Sequence, residues 1–509
     1  MKDKIFIVLV IFVVLATIGL TRKNLNYGIE TDFLWQFQPE ALRLIKGAPL
    51  ELNFHPPFYP IVLALFFKVF GNWQIVGILI SLISALVILF TSYQFLRTIF
   101  SDQEALGGLM GLLLSPTFII FSLQASSDIF FHALFYTSLC LVSSALKKNN
   151  YILWALSGAF AVLTLLTRAN GIVVIFFFLF PLILYAPIKH KAKYFISMLC
   201  GFSIPFMAWL WLARASGSPP YVKYNYANLA MNYFTDNPGS VDSTLEAIKK
   251  FSNIKDVLIY DPKKMIFNYA TDLIRKILIL FTNDSILAFP LILFVLPGVV
   301  LLFYRKLDRF RFLLLIILVS NFMLLNFAGW MDRLYIVFIP IMGAGAFAFA
   351  KEISLLFGIE KSRKFIATIF VISSLFYSAR LIHTYNRVFI EYSSSDSIAA
   401  AELIEKKEND GERYVIARKP HLSFYSHSKQ ILFPNAKTFD ELKSSILTIC
   451  SNISKNTNIY LFYGKSERAY RSKFSILAEK DYCIHWLERI GGGNENGGWV
   501  LYRVLPHCL

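Results

Sequence analysis

From residue 5 to about 385 the chain alternates long apolar blocks with short polar breaks. A bilayer-spanning helix needs about 20 mostly apolar residues. After a first block at 5–20, candidates are 73–96, 105–123, 129–146, 151–167, 171–188, 194–213, 286–304, 312–327, 335–350 and 365–382. This pattern predicts an all-α polytopic bundle of about 11 spans. The segment PPFYPIVLALFFKVF (56–70) is apolar but short and headed by two prolines, so it is read as a helix lying at the membrane surface. Two long polar stretches interrupt the blocks, at about 21–72 and 214–285. In the first, QFQPEALRLIKG (36–47) reads as a short amphipathic helix closed by Gly47.

The pattern changes from about 388. SDSIAAAELIEKK (395–407) and FDELKSSILTIC (439–450) have helical character, whereas RYVIAR (413–418) and NIYLFYG (458–464) read as strands. YCIHWLERI and WVLYRV flank GGGNENGG and suggest a hairpin. Alternating helices and strands predict a small α/β domain over 388–509, after a transmembrane domain over 1–387.

Composition and charge agree with this division. Of 509 residues, 56% are hydrophobic and 16% charged. The net charge of +17 raises the question of nucleic acid. Its placement answers it: Arg97, Lys147, Lys148, KHKAK (189–193), RKLDRFR (305–311), Lys361, Arg363 and Lys364 fill short breaks on one side of the bundle. That is the positive-inside pattern, so no nucleic-acid partner is expected. It puts the N-terminus in the cytoplasm, the two long loops outside, and the C-terminal domain outside the cytoplasm. The expected location is the plasma membrane. Cys140 and Cys200 lie in apolar blocks, while Cys450, Cys483 and Cys508 lie in the tail, where one pair could be bridged.

Under this topology a set of polar residues falls on the outer face: Glu30, Asp32, His55, Asp128, Arg168, Lys223, Tyr224, Arg275, Lys276, Asp332 and Arg333. Ionisable residues at span ends are expensive to keep and are candidates for function. A carboxylate such as Glu30 or Asp32 is ionised near neutral pH, and could take a proton from a hydroxyl or hold a divalent cation. No GxGxxG, P-loop or internal repeat is present. A transporter or lipid-linked glycan flippase is the alternative class, although transporters place their charges at the bilayer midplane.

The run ETDFLWQFQPEALRLIKGAPLELNFHPPFYPIVLALFFKVFGN (30–72) resembles the first outer loop of the GT-C membrane glycosyltransferases, particularly the family 39 group of protein O-mannosyltransferases and the lipid A aminoarabinose transferase. LSPTFIIFSLQASSDIFFHALF (114–135), LTRANG (166–171) and DRLYIVFIP (332–340) are similar to later elements of that family, with Asp128 at the matching acidic position. RYVIARKPHLSFYSHSKQILFP (413–434) resembles the extra-membrane domain of bacterial members. The chain departs from the pattern at Phe33, where many members carry a second acid after the position of Asp32. It departs again at His55, where the lipid A enzyme has lysine before the paired prolines.

The resemblance implies an inverting transfer of one sugar from a polyprenyl-phosphate donor to a lipid, glycan or protein hydroxyl. Asp32 would be the catalytic base. Glu30, His55, Asp128, Arg168, Lys223, Tyr224, Arg275 and Arg333 would bind substrate, with a divalent metal as an open possibility and no other cofactor expected.

Overall fold

Helix ends in this protein are written into the sequence. In the computed structural model, Asn72 caps the helix Trp73–Ile99 by accepting from the backbone N–H groups of Gln74 and Ile75, both at 3.0 Å. Ser101 and Glu104 form a capping box on Asp102–Leu113, and Asn150 caps Tyr151–Leu165. Each cap satisfies first-turn amides that the helix itself leaves without a partner. The structure describes residues 10, 12–14, 16–17, 29–174, 188–235, 241–305, 308–356, 363–393, 395–407, 412–453, 457–479, 485–493 and 498–505.

The chain divides into two units, one formed by Met1–Arg22 and Gln36–His383, the other by Lys23–Trp35 and Thr384–Leu509. The first is helical. Among its described residues, four helices are long and apolar enough to cross a membrane: Trp73–Ile99, Ser127–Lys148, Lys191–Ser216 and the run Asp332–Leu356. Shorter apolar helices are Phe58–Phe70, Tyr151–Leu165, Leu291–Tyr304 and Phe310–Leu325. The block 105–123, expected as one span, is two helices, Asp102–Leu113 and Pro116–Ser122, bent by 63°. Ser115 and Pro116 cause the break: the serine side chain caps the second helix, and proline is at home in a first turn. The blocks 5–20 and 171–188 lie largely outside the described residues.

Close helix packing depends on glycine. A Cβ on Gly111 would lie 2.7 Å from the Cα of Gly343, and one on Gly343 equally close to Gly111. These two positions let Asp102–Leu113 run against Ile339–Leu356, backbone to backbone, as small residues do in membrane bundles. The stretch 214–285, read from sequence as a polar loop, holds the helices Ala227–Phe234, Val241–Lys250, Ile254–Tyr260 and Pro262–Thr282. Tyr226, Tyr233, Phe234, Phe251 and Val257 give it a core of its own.

The second unit carries a five-stranded sheet of order β2-β1-β3-β5-β4, with β1 Arg413–Ala417, β2 Lys429–Leu432, β3 Asn458–Tyr463, β4 Leu487–Gly493 and β5 Trp499–Val504. β1 pairs in parallel with β2 and β3, and β5 is antiparallel to both β3 and β4. Val415, Ala417, Tyr460 and Phe462 pack on the helix Ser395–Lys407, whereas Ile416, Ile459, Leu461 and Tyr463 face Phe439–Ser451. This alternation is what a sheet covered on both faces requires. Cys450 is a free thiol, and Cys483 and Cys508 lie outside the described residues.

Candidate active site

Asp128, His132 and Tyr136 sit at i, i+4 and i+8 on Ser127–Lys148 and share one face. Opposite them runs the 3-10 segment Asp332–Phe338. His132 Nε2 lies 3.0 Å from the carbonyl oxygen of Arg333, and the Tyr136 hydroxyl donates to that of Val337 at 2.6 Å. These contacts fix the Arg333 backbone beside Asp128. The carboxylate of Asp128 is 1% exposed. It accepts from Arg168 Nη1 at 2.6 Å and from the Ser126 hydroxyl at 2.7 Å, and lies 3.6 Å from Arg333 Nε. Arg168 also reaches the Ser127 hydroxyl at 3.1 Å, and the Arg333 guanidinium lies over the Phe121 ring. The two guanidinium side chains remain 12% and 16% exposed. One carboxylate against two guanidinium groups leaves these three side chains with net positive charge in a poorly hydrated setting, where it acts strongly on an anion.

The loop 52–57 is gripped from three directions. Gln36 accepts from Phe54 N–H and donates to the His55 carbonyl, each at 3.2 Å. The backbone N–H groups of Lys223 and Tyr224 donate to the carbonyls of Leu52 and Asn53 at 2.9 Å. Phe58 N–H donates to the Leu166 carbonyl at 2.8 Å, two residues before Arg168. Leu52 is fully buried with φ of 45°, a conformation that costs a non-glycine residue about 1–3 kcal/mol and recurs where function constrains the backbone. The His55 ring packs on Phe37, with centroids 4.8 Å apart. Burial and the nearby Arg168 charge lower its pKa to about 3, so it is neutral at physiological pH. The Lys223 ammonium lies over the Tyr224 ring at 5.0 Å.

The structure thus brings together Asp128, Arg168, Arg333 and His55, with the backbone of Lys223 and Tyr224 bonded to the loop that carries His55. Arg275 is exposed on Pro262–Thr282. Its neighbour Lys276 is the buried one, donating to the carbonyls of Asn326 at 2.9 Å and Ala328 at 2.6 Å. Burial pulls the Lys276 ammonium below the usual lysine value, partly offset by Asp272. Asp332 accepts from Trp330 Nε1 at 2.6 Å and Asn283 Nδ2 at 2.8 Å, which gives it a local structural partner set. Glu30 and Asp32 belong to the second unit. Glu30 is 8% exposed, and its carbonyl accepts from Phe33 N–H. Asp32 stands at the start of a helical run and is followed by a π-helical turn, Phe33–Phe37, a rare geometry found frequently at functional sites. Sequence reasoning passed over His132, Tyr136 and Gln36, and gave Lys276 only as one of the charges on the outer face. The Asp-x3-His-x3-Tyr spacing was the available signal for the first two. Among the described residues no three His, Cys, Asp or Glu side chains gather closely enough to hold a metal.

Residues 54–211 match the model of a family described as dolichyl-phosphate-mannose-protein mannosyltransferase, a segment that contains His55, Asp128 and Arg168. The structure of ArnT from Cupriavidus metallidurans bound to undecaprenyl phosphate superposes with a TM-score of 0.59 at 12% identity, covering 98% of this chain and 97% of that one. The chain has the fold of the GT-C membrane glycosyltransferases. The Archaeoglobus fulgidus oligosaccharyltransferase in complex with Zn and sulfate shares this GT-C fold, with a TM-score of 0.59 and 12% identity over 92% of this chain and 70% of that one. AglB from the same organism, in complex with an inhibitory peptide and a dolichol-phosphate, matches with a TM-score of 0.56 and 12% identity over 99% and 74%. No curated protein is similar in sequence. The GT-C resemblance read from the motifs is borne out by a glycosyltransferase family signature and a GT-C fold in one chain.

Proposed function

We propose that this protein transfers a single sugar, with inversion, from a polyprenyl-phosphate donor to an acceptor hydroxyl on the outer face of the plasma membrane. The observation that carries the reading is the buried Asp128 carboxylate holding the Arg168 and Arg333 guanidinium groups. Two preorganised cations suit a phosphate that gains charge as the sugar leaves, because they need no reorganisation as that charge develops. Guanidinium groups also match phosphate oxygens in a planar, two-pronged way. Lipid phosphates are what ArnT and AglB hold in their structures, undecaprenyl phosphate and a dolichol-phosphate respectively.

In this mechanism the Asp32 carboxylate takes the proton of the acceptor hydroxyl. The hydroxyl oxygen bonds to the anomeric carbon as the bond from that carbon to the phosphate oxygen breaks. The lipid phosphate departs with the bonding electron pair, and in-line displacement inverts the anomeric centre. Arg168 and Arg333 hold the departing phosphate. Neutral His55 contributes a hydrogen-bond donor without charge, and Lys223 with Tyr224 flanks the donor headgroup. Glu30 and Asp128 orient sugar and acceptor hydroxyls. Exposed Arg275 draws anionic lipid towards the outer surface. The N-terminus lies in the cytoplasm and the C-terminal domain outside it.

The test is transfer of label by the purified, detergent-solubilised protein from a panel of radiolabelled polyprenyl-phosphate sugars. Wild type should move label from one of them, and Asp32→Asn should lose about 10²–10⁴ in turnover while folding normally. No transfer from any donor, with lipid, glycan and peptide acceptors and with or without divalent metal, overturns the proposal.

A further inference from the structure

The segment carrying Asp32 is grouped with the C-terminal unit, not with the helices that follow it in sequence. One side chain of that unit reaches it directly. His421 opens the short helix His421–Tyr425 that follows β1, and its Nε2 lies 2.9 Å from the carbonyl oxygen of Ile29. The sequence separation is 392 residues, and both partners are buried, His421 at 1% and Ile29 at 2% exposure. A carbonyl only accepts, so Nε2 carries the proton and donates. Ile29 precedes Glu30, whose own carbonyl receives the N–H groups of Phe33 at 3.1 Å and Leu34 at 3.3 Å. The contact is thus made at the residue just before the one whose carbonyl begins the helical run carrying Asp32.

We infer that His421 is a positioning residue, and that the C-terminal α/β unit uses it to hold the backbone of residues 29–32 so that Asp32 is presented in one orientation. The inference rests on the proposed role of Asp32 as base. The soluble domain then serves as a clamp on the start of the helix that bears the base. A carboxylate acting as a base must be placed to within a fraction of an ångström, and about 1 Å of misplacement can cost 10²-fold in rate. The clamp is built for constancy. β1 fixes the backbone that leads into His421, and Pro420 precedes it. Burial in the unit, with the nearby Lys419 charge, keeps the ring neutral down to about pH 4, so the donor proton stays on one nitrogen.

The experiment compares the full-length protein with His421→Leu, which fills the space but cannot donate, and with His421→Gln, whose side-chain N–H can still reach the carbonyl. Amide exchange is followed by mass spectrometry in peptides covering 29–35 and, as reference, in β1 and β3. Exchange in 29–35 should quicken about tenfold in His421→Leu, the equivalent of one ordinary hydrogen bond, with β1 and β3 unchanged. kcat for sugar transfer should fall about 10- to 100-fold with the donor KM unaltered. His421→Gln should restore both readouts most of the way. Unchanged exchange in 29–35 overturns the clamp, and so does loss of protection throughout the sheet, which would make His421 a plain core residue. Faster local exchange in a protein that moves no sugar from any donor supports the clamp and instead removes the transferase reading on which its purpose rests.

Discussion

Asp128 in the helical unit and Glu467 in the C-terminal unit are carboxylates buried to the same degree, each 1% exposed, yet they are satisfied in opposite ways. Glu467 accepts from the backbone N–H groups of Arg418 at 2.8 Å and Gly464 at 3.1 Å, closing the turns that follow β1 and β3. Burial raises its pKa, and those amides oppose the rise. Asp128 instead takes two guanidinium groups, which themselves retain some exposure. The first arrangement consumes the carboxylate in local backbone geometry. The second uses the carboxylate to aim cations from chain positions far apart. Burial alone therefore does not tell the two carboxylates apart. What distinguishes Asp128 is that its partners are charged side chains that still reach accessible space.

The largest effect that would sharpen this contrast is Asp128→Ala. Leaving Arg168 and Arg333 without their carboxylate should destabilise the helical unit by about 3–5 kcal/mol and abolish sugar transfer, as read by thermal denaturation in detergent and by the transfer assay. Acidification probes the other unit. His421 has its pKa lowered to about 4 by burial and by Lys419, so its contribution is fully present above the unfolded value of 6.5 and is lost as pH falls through that window. The loss amounts to roughly 3 kcal/mol by pH 4. Glu467 and Asp396, whose pKa values burial raises, act with the opposite sign. The difference between wild type and His421→Gln in denaturation at pH 7 and pH 4 therefore isolates the imidazole, and equal pH dependence in the two proteins would contradict its burial as a neutral ring. The smallest effect belongs to Glu467→Gln. It should cost about 1–3 kcal/mol of stability through one mismatched amide contact and leave turnover at the wild-type value. A large loss of turnover in a folded Glu467→Gln protein would erase the distinction between the two carboxylates.

Much of the fold was legible in the sequence because burial in both units follows simple periods. Most of the helical blocks that fall on described residues, the short apolar helix after Pro56–Pro57, and the strands at 413–418, 458–464 and 499–504 were visible, whereas the break inside 105–123 was not. β2 was not. KQIL has four residues and a half-exposed pattern, and only its parallel pairing to β1 makes it a strand. The helices of 214–285 were hidden for a related reason: their apolar residues pack on one another within an otherwise polar stretch. At the site, sequence marked Asp128, Arg168 and Arg333 as charges at span ends. It could not pair them, since the bonds join helices through tertiary packing that no local pattern encodes. The attachment of Ile29 to His421 is the extreme case, a single hydrogen bond spanning 392 residues.

The central claim is tested most directly by the affinity of sugar-free polyprenyl phosphate for wild type, Arg333→Ala and Glu467→Gln, measured by native mass spectrometry in detergent. Arg333→Ala should weaken binding by about 10- to 100-fold, the worth of one charge-assisted contact, while Glu467→Gln binds as wild type does. Equal affinity for wild type and Arg333→Ala would contradict the claim that Asp128 aims its guanidinium partners at a lipid phosphate.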